Sequence, residues 1–164
     1  MSGETARLTL KAATAEDRDA YYALFREVQE MHIAARPDLF REPKNDDAFR
    51  AHFEDAIGAP QKGIVLAWLG GEAVGAAHYE FTRLDASGMY LLDRPILWIE
   101  SIAVRADLRG KGVGRALVGL LRRIAAERGV ADLGLEVWDF NEDARRAFEA
   151  LGLEIRARTM LGKV

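Results

Sequence analysis

Cysteine is absent from all 164 residues. That excludes thiol nucleophiles, thiolate metal sites and disulfides together, and no metal cofactor is expected; it leaves the compartment open. Residues Met1 to Arg7 have no apolar segment of the kind a secretory signal carries. No apolar run approaches the ~20 residues of a membrane span. Positive charge is not in excess: 23 Lys and Arg face 26 Asp and Glu, for a net charge of -3. A basic nucleic-acid footprint is therefore not expected. The chain reads as a cytoplasmic protein with no membrane or nucleic-acid partner.

Apolar residues make up 49% and charged residues 30% of the chain, an ordinary soluble balance. A chain this long buries roughly 70% of its unfolded surface, enough for a core without a staple. Residues 1–164 are expected to form a single domain.

Arg7 to Lys11 alternates apolar and charged residues and predicts a first strand. Thr14 and Asp17 resemble a capping box ahead of a helix carrying Tyr21, Leu24, Phe25, Val28 and Met31 at helical spacing. Pro37 interrupts it, and a shorter helix is expected over Asp46 to Ile57. Gly63 to Leu69 and Glu72 to Arg83 form a hairpin about Gly70-Gly71. Residues 84 to 95 read as a loop and Ile96 to Val104 as a strand. Val113, Leu117, Leu120, Leu121 and Ile124 line one face of the next helix, which ends at Gly129. Leu133 to Trp138 is a further strand. Asn141 caps a last helix through Leu151, and the tail from Leu153 should add a final strand. The order β-α-α-β-β-β-α-β-α-β implies an α/β (α+β) fold, a mixed sheet with helices on both faces.

Between a strand and a helix lies Arg109-Gly110-Lys111-Gly112-Val113-Gly114-Arg115. Glycines let the backbone turn tightly and approach a ligand. The first N–H groups of a helix are unpaired and sit at its positive end, which suits a phosphate. Arg109, Lys111 and Arg115 add charge. The run lacks the spacing of a P-loop, and Leu117 stands where a Rossmann fingerprint needs Gly or Ala. By itself the turn is equally a plain helix start.

Trp98 through Leu117 closely resembles the GNAT superfamily of acetyl-CoA-dependent N-acetyltransferases. That family's signature is Arg or Gln, two residues, Gly, one residue, then Gly or Ala, matched by Arg109, Gly112 and Gly114. A second resemblance runs from Leu135 through Asn141 and Ala144 to Phe148-Glu149-Ala150-Leu151-Gly152-Leu153. The resemblance implies a mostly antiparallel sheet whose strands splay at the acetyl-CoA site. It implies that N–H groups from Leu108 to Arg115, including Gly110, Gly112, Val113 and Gly114, hold the pyrophosphate. Backbone groups of Ile102, Ala103 and Val104 would meet the pantetheine arm and polarise the thioester carbonyl. Asn141 and Phe148 would lie beside the cofactor.

The implied reaction is attack of an amine on a thioester. An alkyl ammonium of pKa ~10.4 must first lose a proton at pH 7. Glu100 matches a proposed base in the polyamine-acetylating branch, and Glu136 one in the branch acting on ribosomal-protein N-termini. Either could instead pair with an arginine or face solvent. Phe148 stands where the family usually has a tyrosine acting as general acid, and Phe cannot donate a proton. Tyr79, Tyr90 and Ser101 are the alternative donors, while Trp68, His78 and Tyr79 read as core or cleft residues.

The region holding Glu30, His32, Asp38, Phe40, Glu42, Asp46, Asp47, Glu54 and Asp55 corresponds to the family's acceptor side. It would form an acidic rim attracting a cationic amine, or an ordinary solvated face. The relatives' habit of pairing through their last strands suggests a homodimer. Two functions follow: an N-acetyltransferase for a primary amine, or a weakly catalytic acyl-CoA-binding module.

Overall fold

A computed structural model of the protein describes residues 7–42, 46–84, 89 and 92–163. Tyr90 lies outside these residues. The elements are β1 (Thr9–Ala12), α1 (Arg18–Ala35), α2 (Asp46–Gly58), β2 (Lys62–Leu69), β3 (Glu72–Arg83), β4 (Pro95–Val104), α3 (Val113–Glu127), β5 (Asp132–Leu135) and α4 (Glu142–Ala150). The sheet runs β1-β2-β3-β4-β5; the first three pairings are antiparallel and β4 with β5 is parallel. This is the mixed, mostly antiparallel sheet with helices on both faces that the sequence predicts.

Strand alternation sorts the core into two layers. Val65, Ala67, Val74, Ala77, Leu97 and Ile99 pack on α3 through Val113, Leu117, Val118 and Leu121, with Phe148 of α4 and its C-cap Leu151 against them. Ile64, Leu66, Ala76 and Ala103 pack on the other face against Tyr21 and Leu24 of α1 and Phe53 and Ala56 of α2. The start of α1 is fixed by Asp17, whose carboxylate accepts from the Thr14 N–H at 2.9 Å and hydroxyl at 3.0 Å.

Gly75 in β3 shows how tightly the α3 layer is set. A Cβ there would lie 2.8 Å from Val113 Cγ1 and 3.2 Å from the Ala103 carbonyl oxygen. Gly75→Ala therefore overpacks the β3–α3 contact and is expected to cost about 1–3 kcal/mol of stability, read as a lowered denaturant midpoint.

Two expectations are corrected. The strand expected to reach Trp138 stops at Leu135, because the chain leaves β4 there. The tail over 153–163 forms no strand. Its alternating residues have no ladder partner or core face among the described residues, and Ile155, Met160 and Leu161 are exposed.

Candidate active site at the strand splay

β4 and β5 stay paired for four rungs, the last being Ile99 with Leu135. Beyond it, residues 101–104 keep their pairing to β3 but have no ladder partner on the β5 side. The two strands open into a wedge. Glu100 and Glu136, the two candidate bases, are the first residues past the last rung, one on each arm. Ile102, Ala103 and Val104 follow along the β4 edge that β5 leaves open, where the Val104 carbonyl accepts from Arg109.

The wedge opens toward the glycine turn. Gly110 has φ 73° and Gly112 φ 90°, in the left-handed region where side-chain-bearing residues are strained. Gly112 is the N-cap of α3, and the first helical bond is Ala116 N–H to its carbonyl. The N–H groups of Gly110, Gly112, Val113, Gly114 and Arg115 have no protein acceptor among the described residues. Lys111 and Arg115 have no ion-pair partner among those residues, whereas Arg109 donates to Glu27 of α1 at 2.8 Å and to the Val104 carbonyl at 3.1 Å. A bare row of donors beside two unpaired cations fits a pyrophosphate. The open β4 edge fits the amide groups of a pantetheine arm.

A β-bulge lies at the apex of the wedge. His78 pairs with Ser101 and Tyr79 with Ile99, so Glu100 is the extra residue and Glu100 with Ser101 opposes the single residue His78. The Ser101 hydroxyl lies 3.2 Å from that of Tyr21, which reaches down from α1. Burial holds the Tyr21 phenol above its ordinary value, and the Glu100 charge adds to this against the Ser101 hydrogen bond. Tyr79 is turned to the α3 layer, with its hydroxyl against Gly63. Its hydroxyl is thus turned away from the apex, where that of Ser101 stands.

His78 is 3% exposed, and neither ring nitrogen has a protein partner. Burial, reinforced by His52 and Lys62, pushes its imidazole down to about 4. An unfolded imidazole binds its proton near 6.5, so between those values the unfolded chain holds more protons and stability falls as pH falls. The melting temperature is expected to fall steadily from pH 6.5 toward 4, and His78→Gln should flatten that slope.

The far arm of the wedge carries an aromatic wall. Phe40, from the segment after α1, meets Trp138 edge-on at 4.9 Å and Phe140 at 6.0 Å, and stacks on His32 at 4.9 Å. Burial lowers the His32 imidazole. A cavity of about 370 Å³ adjoins the wall, bounded by Met31, Ala35, Phe140, Asn141, Asp143 and Arg146. Asn141 caps α4 by accepting from the Ala144 N–H at 3.2 Å. Phe148 packs into the α3 layer.

Several carboxylates of the expected acidic rim are already paired: Glu30 with Arg26, Asp38 with Arg36, and Asp55 with Lys62. The sequence reading placed His32 and Phe40 on the acceptor side but missed Tyr21 as a site residue and the wall that Phe40 forms with Trp138 and Phe140. Tyr21 sits 80 residues from Ser101 and reads as one more apolar position on a helix. No group of residues suited to a metal ion occurs among the described residues, and no helix there is long and apolar enough to cross a membrane.

The description "Acetyltransferase (GNAT) family" matches residues 21–153. A Bos taurus thialysine N-epsilon-acetyltransferase is 26% identical over 134 residues, 82% of this chain and 71% of that protein. An aminoglycoside N(6')-acetyltransferase type 1 from Salmonella typhimurium is 24% identical over 115 residues, 70% of this chain and 78% of that one. Among solved structures, the aminoglycoside N-acetyltransferase AAC(6')-Iy in complex with CoA superposes with a TM-score of 0.80 at 18% identity, covering 100% of this chain and 99% of that chain. A tetramutant of the BH1408 protein from Bacillus halodurans gives 0.85 at 22% identity, covering 95% and 99%.

Proposed function

Since the chain belongs to the acetyltransferase (GNAT) family, an acyltransferase family whose named relatives here are N-acetyltransferases, we propose that it moves the acetyl group of acetyl-CoA to a primary amine by direct attack in a ternary complex. The observation that carries this reading is the wedge itself. Unpaired donors stand at its mouth, an open strand edge runs along its side, and a carboxylate is extruded at its apex.

In this reading the N–H groups of Gly110, Gly112, Val113, Gly114 and Arg115, with the Lys111 and Arg115 side chains, grip the pyrophosphate. The β4 edge over Ile102, Ala103 and Val104 binds the pantetheine arm and polarises the thioester carbonyl. Asn141 and Phe148 border the arm. The acceptor enters on the α1–α2 face, where Glu100 takes its proton. The amine nitrogen then bonds to the carbonyl carbon, the C–S bond breaks and CoA leaves as a thiolate. A thiol of pKa ~8.5 leaves with modest help. Because Phe148 cannot give that help, Ser101, backed by Tyr21, is the donor at the apex. Glu136, on the opposite arm, is the alternative base.

The acceptor is an amine, cationic in solution. The carboxylates that form no ion pair among the described residues, including Asp46, Asp47 and Glu54, supply the attraction, with Glu42, whose charge is shared with Arg26, beside them. The lone edge of β5 and the exposed tail residues Ile155, Met160 and Leu161 support a homodimer in which the tail finds its strand partner. A cytoplasmic place of action goes with this reading. Phe148 favours a second reading, a weakly catalytic acyl-CoA-binding module. Thiol release from acetyl-CoA against a panel of polyamines, amino sugars, amino acids and peptides decides between them. Release that depends on one amine class supports the enzyme; binding without release from any of them supports the module.

A further inference from the structure

We propose that His78 and His52 form a relay that carries the acceptor's proton from Glu100 to solvent. This rests on the reading of Glu100 as the base of an acetyltransferase. Its grounds are the bulge and a polar group left unpaired beneath it.

A buried polar side chain without a partner is rare, and an imidazole with both nitrogens unpaired calls for a role. His78 is that residue, at 3% exposed. It is the cross-strand partner of the bulge, so Glu100 and Ser101 both oppose it. The His52 ring of α2 stands edge-on to it at 5.0 Å, and His52 is exposed. Neither His78 nitrogen hydrogen-bonds Glu100 or His52 in this structure, so the proposed order of acceptor cleft, Glu100, His78, His52, solvent is completed by side-chain movement when the substrates bind. Once acceptor and acetyl-CoA cover the apex, this is the route out that avoids both substrates.

The groups around His78 suit a relay. Tyr21 comes from α1, His52 and Asp55 from α2, Lys62 from β2, Glu80 from β3, and Glu100 and Ser101 from β4. Lys62 is neutralised by Asp55 at 2.7 Å and approaches Glu80 at 3.9 Å. His78 is pushed down to about 4, into the range where carboxylic acids rather than ordinary imidazoles titrate. Burial therefore keeps the ring neutral near neutral pH, so it passes a proton on without trapping it.

The step balances. The amine gives one proton to the Glu100 carboxylate as its nitrogen bonds to the carbonyl carbon. Glu100 passes a proton to the unprotonated nitrogen of His78. The N–H on the other side of that ring gives its proton to His52, which releases it to water. His78 ends as the other tautomer and returns by exchange with solvent between turnovers. The departing thiolate takes its own proton separately.

The test measures steady-state turnover of wild type, His78→Gln and His52→Gln with the best amine of the panel. His78→Gln is expected to lower kcat on the order of tenfold, to leave KM for acetyl-CoA within about twofold, and to raise the solvent deuterium isotope effect on kcat. His52→Gln should lose less, and added imidazole buffer should restore it. Wild-type kcat and isotope effect in a well-folded His78→Gln overturn the relay. So does a loss of kcat that comes with a raised KM for acetyl-CoA and an unchanged isotope effect, since that marks a packing role. If His78→Gln does not fold, His52→Gln decides: a wild-type rate, or a loss that imidazole does not restore, overturns the proposal. Wild-type protein that acetylates no amine defeats the proposed function, and the relay with it. An active wild type with both variants unaltered defeats the relay alone.

Discussion

Gly112→Trp is expected to weaken acetyl-CoA binding by ~100-fold or more while leaving a folded protein. Gly112 holds φ 90° at the N-cap of α3, and a Cβ built on it meets no atom within 4 Å. The substituted side chain therefore projects into the open space before the unpaired N–H groups rather than into the core. Left-handed backbone costs a side-chain-bearing residue roughly 1–2 kcal/mol, so the melting temperature should fall by several degrees without loss of the fold. Gly112→Ala carries the same backbone strain without the bulk and should keep most of the affinity. Calorimetric titration of both variants checks this. Equal loss in both would assign the effect to the turn's conformation, not to blocked access.

Glu100→Gln should lower kcat by ~10²–10⁴-fold with acetyl-CoA affinity unchanged. The change removes a proton acceptor and keeps the shape. Glu100 is exposed at the bulge, so the substitution disturbs no buried pair. The rate of wild type should rise with pH as the acceptor deprotonates, and this dependence should be altered in the variant. An unchanged pH–rate profile would remove Glu100 as the base and move attention to Glu136 across the wedge. The stereochemical case for Glu100 is the bulge, which turns it to the face on which Tyr21, Ser101 and Lys62 sit. Glu136 is exposed beyond the end of β5, and its side of the wedge carries the aromatic wall instead.

Much of the fold is legible from periodicity and punctuation. Val113 to Ile124 repeats at helical spacing and Gly129 ends the pattern, and α3 stands there. Glu72 to Arg83 is β3 to the residue. The limits of β5 are not legible, because Val137 and Trp138 have strand propensity and only the divergence from β4 stops the strand. The final strand fails for a related reason: Ile155 and its neighbours alternate correctly, but a strand needs an edge to pair with, and pairing is not a property of the segment alone.

The site divides the same way. The glycine turn is local, so its residues stand together in the sequence as they do in space. Glu100 stands out as a carboxylate in an apolar strand, but its extrusion by a bulge depends on the register with β3. His78 reads as core from sequence, and burial agrees. What sequence cannot give is that its partner across the strand pair is Glu100 with Ser101, or that α2 brings His52 onto it. Tyr21 and Phe40 reach the wedge only through the packing of α1 and the segment after it.

The most direct measurement is a calorimetric titration of the wild-type protein with acetyl-CoA and with free CoA. The account predicts saturable one-site binding of both, weakened by raised salt because the grip on the pyrophosphate is largely electrostatic. Absence of binding to either by well-folded protein would contradict it, leaving the glycine turn as no more than the start of α3.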